Sequence, residues 1–265
     1  MILHDQHVHS EYSQDSNELL ENYIKLAIEN GQDYFVVTDH LDYDMAITHI
    51  DWLADYKKER IHLNELQNKY PNIRLMEGIE VGYKEHKLTQ IYNVLSETKF
   101  SLINLSIHDY KEFDFYVREI YEKYSIDYLL NLYFDLAIKA VKTFKDFDVF
   151  CHFDYAFKSA IKVDPSLKIN KYEDKLIELF KEIIKRDKAL EINTKVQEFI
   201  KSKDHLLYVL NLYKKLGGKN LTLSSDAHVL KRYKSSFDIM LPIIKEAGFD
   251  HLVYFVDRNR FEYKI

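Results

Sequence analysis

The chain has 265 residues, 46% of them hydrophobic, with 43 acidic and 37 basic side chains and a formal net charge of −6. This length fits one α/β domain, and the acidic balance gives no electrostatic reason to expect nucleic acid as a partner. The sequence shows no signal peptide, no apolar run long enough to span a membrane and a single cysteine, so we expect a cytoplasmic protein without a membrane partner.

Apolar runs of strand length alternate with segments of helical periodicity along the chain. The predicted strands cover residues 1–6, 34–37, 73–76, 100–107, 148–151, 189–193 and 221–223, and a strand-like tail covers 252–265. The predicted helices cover residues 18–29, capped by Ser16 or Asn17, and 51–69, 89–97, 126–144, 172–186, 204–216 and 237–247. Residues 110–125 lack clear periodicity and are expected to cover a site. The alternation predicts βαβ units around a parallel sheet in one domain over residues 1–265.

Histidines and acids stand where six of the seven predicted strands end. They are His7, His9, His40, Glu77, Glu80, His108, His152, Asp226 and His228. His7 and His9 are two residues apart, as are Asp226 and His228, so an extended backbone sends each pair to one side. The carboxyl ends of parallel strands meet on one rim, where α/β folds build their active sites. We therefore expect these side chains to converge, and we expect the other six histidines to be structural or exposed.

The mixture of imidazole and carboxylate groups predicts transition-metal ligands. Such a set suits Zn, Fe or Mn and disfavours Ca or Mg alone. It is too large for one tetrahedral ion, and a carboxylate such as Glu80 can bridge two cations. The residues therefore predict a site with several metal ions.

The same residues form motifs in which the chain resembles the polymerase and histidinol phosphatase (PHP) family of metal-dependent phosphoesterases. The motifs are His7-Val8-His9-Ser10, Thr38-Asp39-His40, Glu77-Gly78-Ile79-Glu80-Val81, Ile107-His108, Cys151-His152 and Ser225-Asp226-Ala227-His228. They follow the family's order and span residues 7 to 228. The resemblance implies a distorted (β/α)7 barrel with the metal site at the carboxyl ends of its strands.

The resemblance further implies three divalent metal ions (Zn, Fe or Mn). The first ion would take His7, His9, Glu80 and Asp226, and Glu80 would bridge to a second ion held by His108 and His152. A third ion would take Asp15, His40 and His228, where Asp15 could equally be a solvated loop acid. Asp226, Glu80 and His228 would be catalytic through these ions.

Within the family, the length of the chain and the stretch Glu191-Ile192-Asn193-Thr194 are similar to the histidinol-phosphate phosphatases. This similarity implies hydrolysis of L-histidinol phosphate to L-histidinol and phosphate in histidine biosynthesis. The subfamily usually has an arginine for the phosphate in the loop after the fifth strand, where this chain has Lys158. Lysine keeps the charge but loses the bidentate geometry. Lys158 and Arg232 are therefore predicted to bind substrate, against the alternative that each is a solvated surface residue.

The implied mechanism needs no protein nucleophile. A metal-bridged water or hydroxide would attack phosphorus in line while the cations absorb charge on the phosphoryl oxygens. The leaving alkoxide would take its proton from a metal-bound water or from an acid such as Asp39, Asp42 or Asp154.

Other functions stay open beside this one. The chain could be a PHP phosphoesterase for a nucleotide, a sugar phosphate or nucleic acid, although it lacks the basic tracts of a nuclease. A non-catalytic metal-binding barrel is a second alternative. A metal-dependent amidohydrolase is disfavoured because no lysine stands at a strand end in the expected place. We expect a small phosphomonoester as substrate, and a homo-oligomer stays open.

Overall fold

The structure is a computed structural model that describes residues 3–195 and 203–265. Its strands are β1 (Tyr34–Val37), β2 (His40–Asp42), β3 (Trp52–Leu53), β4 (Arg74–Glu77), β5 (Ile79–Gly82), β6 (Ile103–Ser106), β7 (Asp109–Tyr110), β8 (Phe113–Asp114), β9 (Val149–Phe150), β10 (Ala189–Asn193), β11 (Leu221–Ser224), β12 (His251–Val256) and β13 (Asn259–Lys264). Its α-helices are α1 (Leu20–Glu29), α2 (Tyr56–Lys69), α3 (Leu88–Glu97), α4 (Arg118–Lys123), α5 (Ile126–Thr143), α6 (Tyr155–Val163), α7 (Glu173–Lys185), α8 (Lys203–Lys215) and α9 (Phe237–Glu246).

Seven strands of the described chain form the main sheet, in the order β11-β10-β9-β6-β5-β2-β3. All neighbours pair in parallel except β2 and β3, which are antiparallel. Strands β5, β6, β10 and β11 are buried along their whole length, as expected for parallel strands with both faces covered. The prediction of an α/β fold around a mostly parallel sheet is therefore confirmed.

Strands β1 and β4 pair in parallel as a separate two-stranded sheet and continue into β2 and β5 of the main sheet. The two strand pairs come so close together at Gly78 that a side chain does not fit there. A Cβ atom on Gly78 would lie 2.8 Å from Cγ2 of Thr38 and 2.9 Å from the carbonyl oxygen of Val37. This close approach keeps Glu80 and His40 side by side in the parallel register of β2 and β5.

The first strand predicted, over residues 1–6, is wrong within the described part of that range, because residues 3–6 form no strand. Instead, Val8 makes an isolated parallel bridge with Ala227. The His9 N–H donates to the Ala227 carbonyl (2.8 Å), and the Thr38 N–H donates to the Val8 carbonyl (2.9 Å). The segment with His7 and His9 therefore lies between the chain that follows β11 and the chain that follows β1.

Two predicted helix starts are also wrong. Helix α1 begins at Leu20 without a side-chain cap, because the Ser16 hydroxyl donates to the carbonyls of His9 and His228. Helix α2 begins at Tyr56 rather than near residue 51, because residues 52–53 form β3 and Asp55 caps the helix by accepting from the Lys58 N–H.

The predictions did not include the β7–β8 hairpin, α4 or α6, whereas the tail over residues 252–265 was predicted to be strand-like. Residues 110–125 contain the end of the β7–β8 hairpin and helix α4, although they show no periodicity in the sequence. Helix α6 occupies most of what was predicted as a loop before Pro165, and it carries Lys158. The tail forms the antiparallel hairpin β12–β13. The other predicted helices agree with α3, α5, α7, α8 and α9 to within three residues, and the predicted end of α1 is correct. None of the helices in residues 3–195 and 203–265 has the length and apolar character needed to cross a membrane.

Helix α2 carries a buried acidic side chain, Glu59. Glu59 is fully buried, and neither carboxyl oxygen has a hydrogen-bond partner among the described residues. Burial raises the pKa of Glu59 well above its usual range, and the carboxylates of Asp39 and Glu77 raise it further. The folded protein therefore holds Glu59 in its protonated form.

We expect Glu59→Gln to stabilise the protein increasingly as the pH rises. Folding raises the pKa of this carboxyl above its unfolded value of 4.5. At a pH above 4.5 the unfolded chain releases the proton while the folded chain keeps it, so the free energy of unfolding falls as the pH rises. The melting temperature of Glu59→Gln should exceed that of the wild type by about a few degrees at pH 8, and by less at pH 5. The same substitution at exposed Glu65 on this helix is the control. An equal difference at both pH values would contradict the assignment.

Candidate metal centre

The structure brings together all nine side chains that the sequence predicted as metal ligands. They are His7, His9, Asp15, His40, Glu80, His108, His152, Asp226 and His228, and all except Asp15 and His228 are buried. His108, His152 and Asp226 each stand two residues beyond the end of a strand, namely β6, β9 and β11. Their position at one rim follows from the parallel register of these strands.

Two of these residues have a backbone conformation that is rare for residues with a side chain. The φ angle is 26° at His152 and 51° at Asp226. Such conformations cost free energy and are found most often at functional sites. Both angles turn the chain directly beyond a strand, and so turn the imidazole and the carboxylate towards the same rim.

Glu80 lies at the centre of the group. Its Oε1 atom is 2.8 Å from Nε2 of His152 and 3.2 Å from Nε2 of His108. Its Oε2 atom is 3.3 Å from Nε2 of His7 and 3.0 Å from Nδ1 of His40. The two oxygens thus face different histidines, which is the arrangement that a carboxylate bridging two cations requires.

Asp226 completes the group around His7 and His9. Its Oδ1 atom is 3.3 Å from Nε2 of His9 and 3.8 Å from Nε2 of His7. Asp15 stands on the outer side, with one oxygen 3.5 Å from Nε2 of His40 and the other 2.9 Å from Nε2 of His228. The structure therefore places Asp15 against the two histidines with which it was grouped.

The donor atoms of this site fit bound cations. The Nε2 atoms of His7, His9 and His228 and Oε2 of Glu80 are buried without a hydrogen-bond partner among the described residues. Buried polar atoms are costly when they are left without a partner, and a cation would supply one. There are five sets of three side chains in which the donor atoms of the set lie within 4.8 Å of one another. The sets are His9/His40/His228, His7/His9/Asp226, His7/Glu80/His152, His40/Glu80/His108 and His7/Cys151/Glu191.

The charged groups of this site shift one another's pKa values. Burial alone would lower the pKa of His7, His40 and His108, but the facing carboxylates hold it above its usual range. Burial by itself would raise the pKa of Glu80, but the facing histidines His7, His108 and His40 hold it well below its usual range. Burial lowers the pKa of His9, and the neighbouring His228 and His40 lower it further. An ionised carboxylate and a neutral imidazole are the forms that coordinate a metal.

Buried acids stand behind the predicted ligands and orient them. Asp42 Oδ1 is 2.8 Å from Nδ1 of His108, and Asp42 Oδ2 is 3.0 Å from Nδ1 of His40. Asp39 accepts from the hydroxyls of Ser10 and Ser13. Carboxylates that hold the second nitrogen of a histidine are usual behind metal ligands. Of the three predicted proton donors, Asp42 lines the cavity described next, whereas Asp39 and Asp154 do not.

The predicted ligands form one side of a cavity of about 360 Å³, which has the size of a small-molecule site. Its walls are formed by Met45, Trp52, Tyr116, Val117 and Tyr155. Three charged groups outside the predicted ligand set, Asp42, Asp114 and Lys195, also reach this cavity. The cavity thus combines an apolar wall with a few charged groups, as ligand sites commonly do.

The structure places the two predicted substrate-binding cations differently. Lys158 is buried on α6, where its ammonium lies 3.2 Å from Asp154 Oδ1 and donates to the Asn193 carbonyl (3.3 Å). It faces a small space that Lys195 and Asp226 also line. The Arg232 Nη2 atom donates to the carbonyls of Thr194 and Lys195 and thereby supports the chain that carries Lys195.

Lys195 and Glu191 were missed as site residues. Lys195 Nζ lies 3.2 Å from Asp226 Oδ1 and 3.4 Å from Nδ1 of His228. Glu191 is fully buried in β10, with Oε1 2.7 Å from Nδ1 of His7. A signal for Glu191 was present, because a carboxylate in the middle of an apolar strand needs a buried partner. Lys195 had no comparable signal, since its partners come from distant parts of the sequence.

Two curated relatives are similar to this chain over most of its length. The histidinol-phosphatase of Lactococcus lactis subsp. lactis (strain IL1403) is 29% identical over 272 residues, which cover 97% of each chain. A probable histidinol-phosphatase of Clostridium acetobutylicum is 26% identical, covering 90% of this chain and 89% of the relative.

A solved structure is similar over nearly the whole chain. The histidinol phosphate phosphatase of L. lactis, crystallised with zinc, L-histidinol and phosphate, has a TM-score of 0.87 at 26% identity. The similarity covers 98% of this chain and 99% of the other. Residues 5–195 match the model of the PHP domain. The match covers well over half of the chain and includes seven of the nine converging ligands, and the chain therefore belongs to the PHP domain family.

Proposed function

We propose that this chain is a metal-dependent phosphomonoesterase that hydrolyses L-histidinol phosphate to L-histidinol and phosphate. The observation that carries the proposal is the set of buried imidazole and carboxylate groups around Glu80, beside a cavity that fits a small molecule. The L. lactis enzyme, with its zinc, L-histidinol and phosphate, supports the choice of substrate.

We further propose that the sheet closes into a distorted (β/α)7 barrel and that residues 1–265 form one domain. Two hydrogen bonds support closure, because the segment around Val8 bonds on one side to Ala227, after β11, and on the other to Thr38, after β1. These bonds link the segment after β11 to the segment between β1 and β2 through the residues around His7 and His9.

Three divalent cations would be held by the nine side chains. The first would take His7, His9, Glu80 and Asp226, the second Glu80, His108 and His152, and the third Asp15, His40 and His228. When bound, such cations supply Lewis-acid polarisation of a phosphoryl group and a water of lowered pKa. Zn, Fe and Mn all suit these ligands, and zinc is the metal in the L. lactis structure.

We assign the phosphate to Lys195. Its ammonium stands at the rim, between Asp226 and His228, where it can neutralise the phosphoryl oxygens. Lys158 has its charge balanced by Asp154, so its effect on the phosphate is weaker. Arg232 acts through Lys195, whose carbonyl it holds at 2.6 Å.

The rest of the substrate would lie against the apolar wall. Asp114 lines the cavity and has no salt-bridge partner among the described residues. Burial raises the pKa of Asp114, which an ammonium group on the substrate would counter. Trp52 and Tyr116 offer faces for a planar imidazole ring. Asp42 does not suit the role of proton donor to the leaving alkoxide, because His108 and His40 hold its pKa below its usual range although burial alone would raise it.

We expect the purified, metal-loaded protein to hydrolyse L-histidinol phosphate with a kcat/KM far above that for p-nitrophenyl phosphate or a nucleoside monophosphate, with no cleavage of single-stranded DNA.

Asp114→Asn should raise KM for L-histidinol phosphate about 10- to 100-fold, because it removes the partner of the ammonium, and should leave the KM for p-nitrophenyl phosphate unchanged. A preference for DNA or a nucleotide would overturn the substrate, and a metal-loaded protein inert on every phosphoester would overturn the proposal.

Buried Lys158 and partly exposed Lys195 should give opposite results. Lys195→Met should lower kcat/KM for L-histidinol phosphate about 100-fold, which corresponds to one charged hydrogen bond, without lowering the melting temperature. Lys158→Met should instead lower the melting temperature, because it leaves Asp154 buried without its countercharge. Lys168→Met, at an exposed position, is the control. The assignment fails if Lys158→Met loses catalysis at unchanged stability while Lys195→Met retains it.

A further inference from the structure

Glu191 is a buried acid that none of the proposed cations would contact directly in the ligand sets above. It is in the middle of β10 and accepts three hydrogen bonds. Its Oε1 faces Nδ1 of His7 at 2.7 Å, and its Oε2 accepts from the backbone N–H of His152 (2.8 Å) and from the Asn193 amide (3.0 Å). One carboxylate therefore contacts a predicted ligand of the first cation and a predicted ligand of the second.

The contact with His7 fixes which imidazole nitrogen carries the proton. An ionised carboxylate only accepts hydrogen bonds, so Nδ1 of His7 must donate to it. Nε2 faces Glu80 Oε2 at 3.3 Å and Asp226 Oδ1 at 3.8 Å, and with the proton on Nδ1 it would be the nitrogen left to bind a cation. This is the tautomer that can coordinate a metal through Nε2.

The contact with His152 fixes a backbone conformation. His152 has a φ angle of 26°, and the bond from its N–H to Glu191 holds the chain in this left-handed turn. On the other side of the residue, the Tyr133 hydroxyl donates to the His152 carbonyl at 3.0 Å. Only with the backbone held in this way does Nε2 of His152 reach Glu80 Oε1 at 2.8 Å.

We propose that Glu191 is a positioning residue that couples the first and second metal sites, by setting the tautomer of His7 and the backbone of His152 at the same time. This inference rests on the metal sites of the proposed function. Glu80 also faces both histidines. The two metal sites would therefore share Glu80 as a ligand and Glu191 as the residue that positions their histidines. Glu191 is thus part of the metal-binding machinery without being a ligand.

Two substitutions separate these two effects. In Glu191→Gln, the amide has one accepting oxygen and one donating nitrogen. The backbone N–H of His152 cannot change from donor to acceptor, so the oxygen must face it and the nitrogen must face His7. His7 would then accept at Nδ1 and carry its proton on Nε2, where no lone pair remains for a metal. Glu191→Ala removes both supports.

The experiment measures zinc affinity and stoichiometry by competition with a chromophoric chelator, with the apo-protein melting temperature as the test of folding. Glu191→Gln should weaken one bound zinc about 10- to 100-fold, and Glu191→Ala should weaken two. Raising free zinc should restore both variants, which an unfolded protein would not allow. Nitrogen NMR of histidine-labelled protein should show His7 changing its protonated nitrogen in Glu191→Gln. The matched control is Glu178→Gln, which removes an exposed carboxylate paired with Lys142.

Zinc affinities in Glu191→Gln and Glu191→Ala that equal those of Glu178→Gln would overturn the coupling. Equal weakening of a single site in both variants would also overturn it, because the His152 support would then have no effect. A wild type that binds no zinc at all would instead defeat the proposed function itself. The two failures are therefore distinguishable in one titration.

Discussion

The structure depends on one carboxylate that faces five imidazoles. Glu80 is buried, and its two oxygens lie within 3.4 Å of nitrogens from His7, His9, His40, His108 and His152. Several of these atoms have no hydrogen-bond partner of their own. Buried polar atoms without partners cost free energy, and bound cations would supply partners for these atoms.

The fold supplies this arrangement through strand register. The parallel pairing of β2 with β5 places His40 beside Glu80, and the pairing of β5, β6 and β9 brings His108 and His152 to the same rim. Outside this inner group, buried acids hold the second nitrogens, as Asp42 does for His108 and Glu191 does for His7. The apolar wall with Trp52 then leaves one accessible side, on which substrate can approach.

The predicted metal ligands could be recognised in the sequence because the signal for each of them is local. Each ligand stands at a fixed place relative to an apolar run, so that His152 after β9 and Asp226 after β11 could be recognised without knowing what they contact. The outer groups could not be predicted in this way. Glu191 and His7 are 184 residues apart, and only the folded chain shows that their side chains meet.

The wrong predictions have physical causes of the same kind. Residues 3–6 form no strand, because the one bridge in this segment is made by Val8, beyond His7, with Ala227. Helix α6 begins at Tyr155, three residues after His152, and it is only nine residues long, so it gave little periodicity to recognise. Ser16 would cap a helix by its sequence, yet its hydroxyl is engaged by two carbonyls beside the site. In each case a tertiary contact replaces the local preference.

The most direct test of the central role of Glu80 is to count the zinc ions bound per chain in the wild type and in Glu80→Gln, by elemental analysis after dialysis against buffered zinc. The account predicts three ions in the wild type. It predicts one in the variant, because the group of Asp15, His40 and His228 does not require Glu80 as a ligand. Equal zinc content in the two proteins would contradict it.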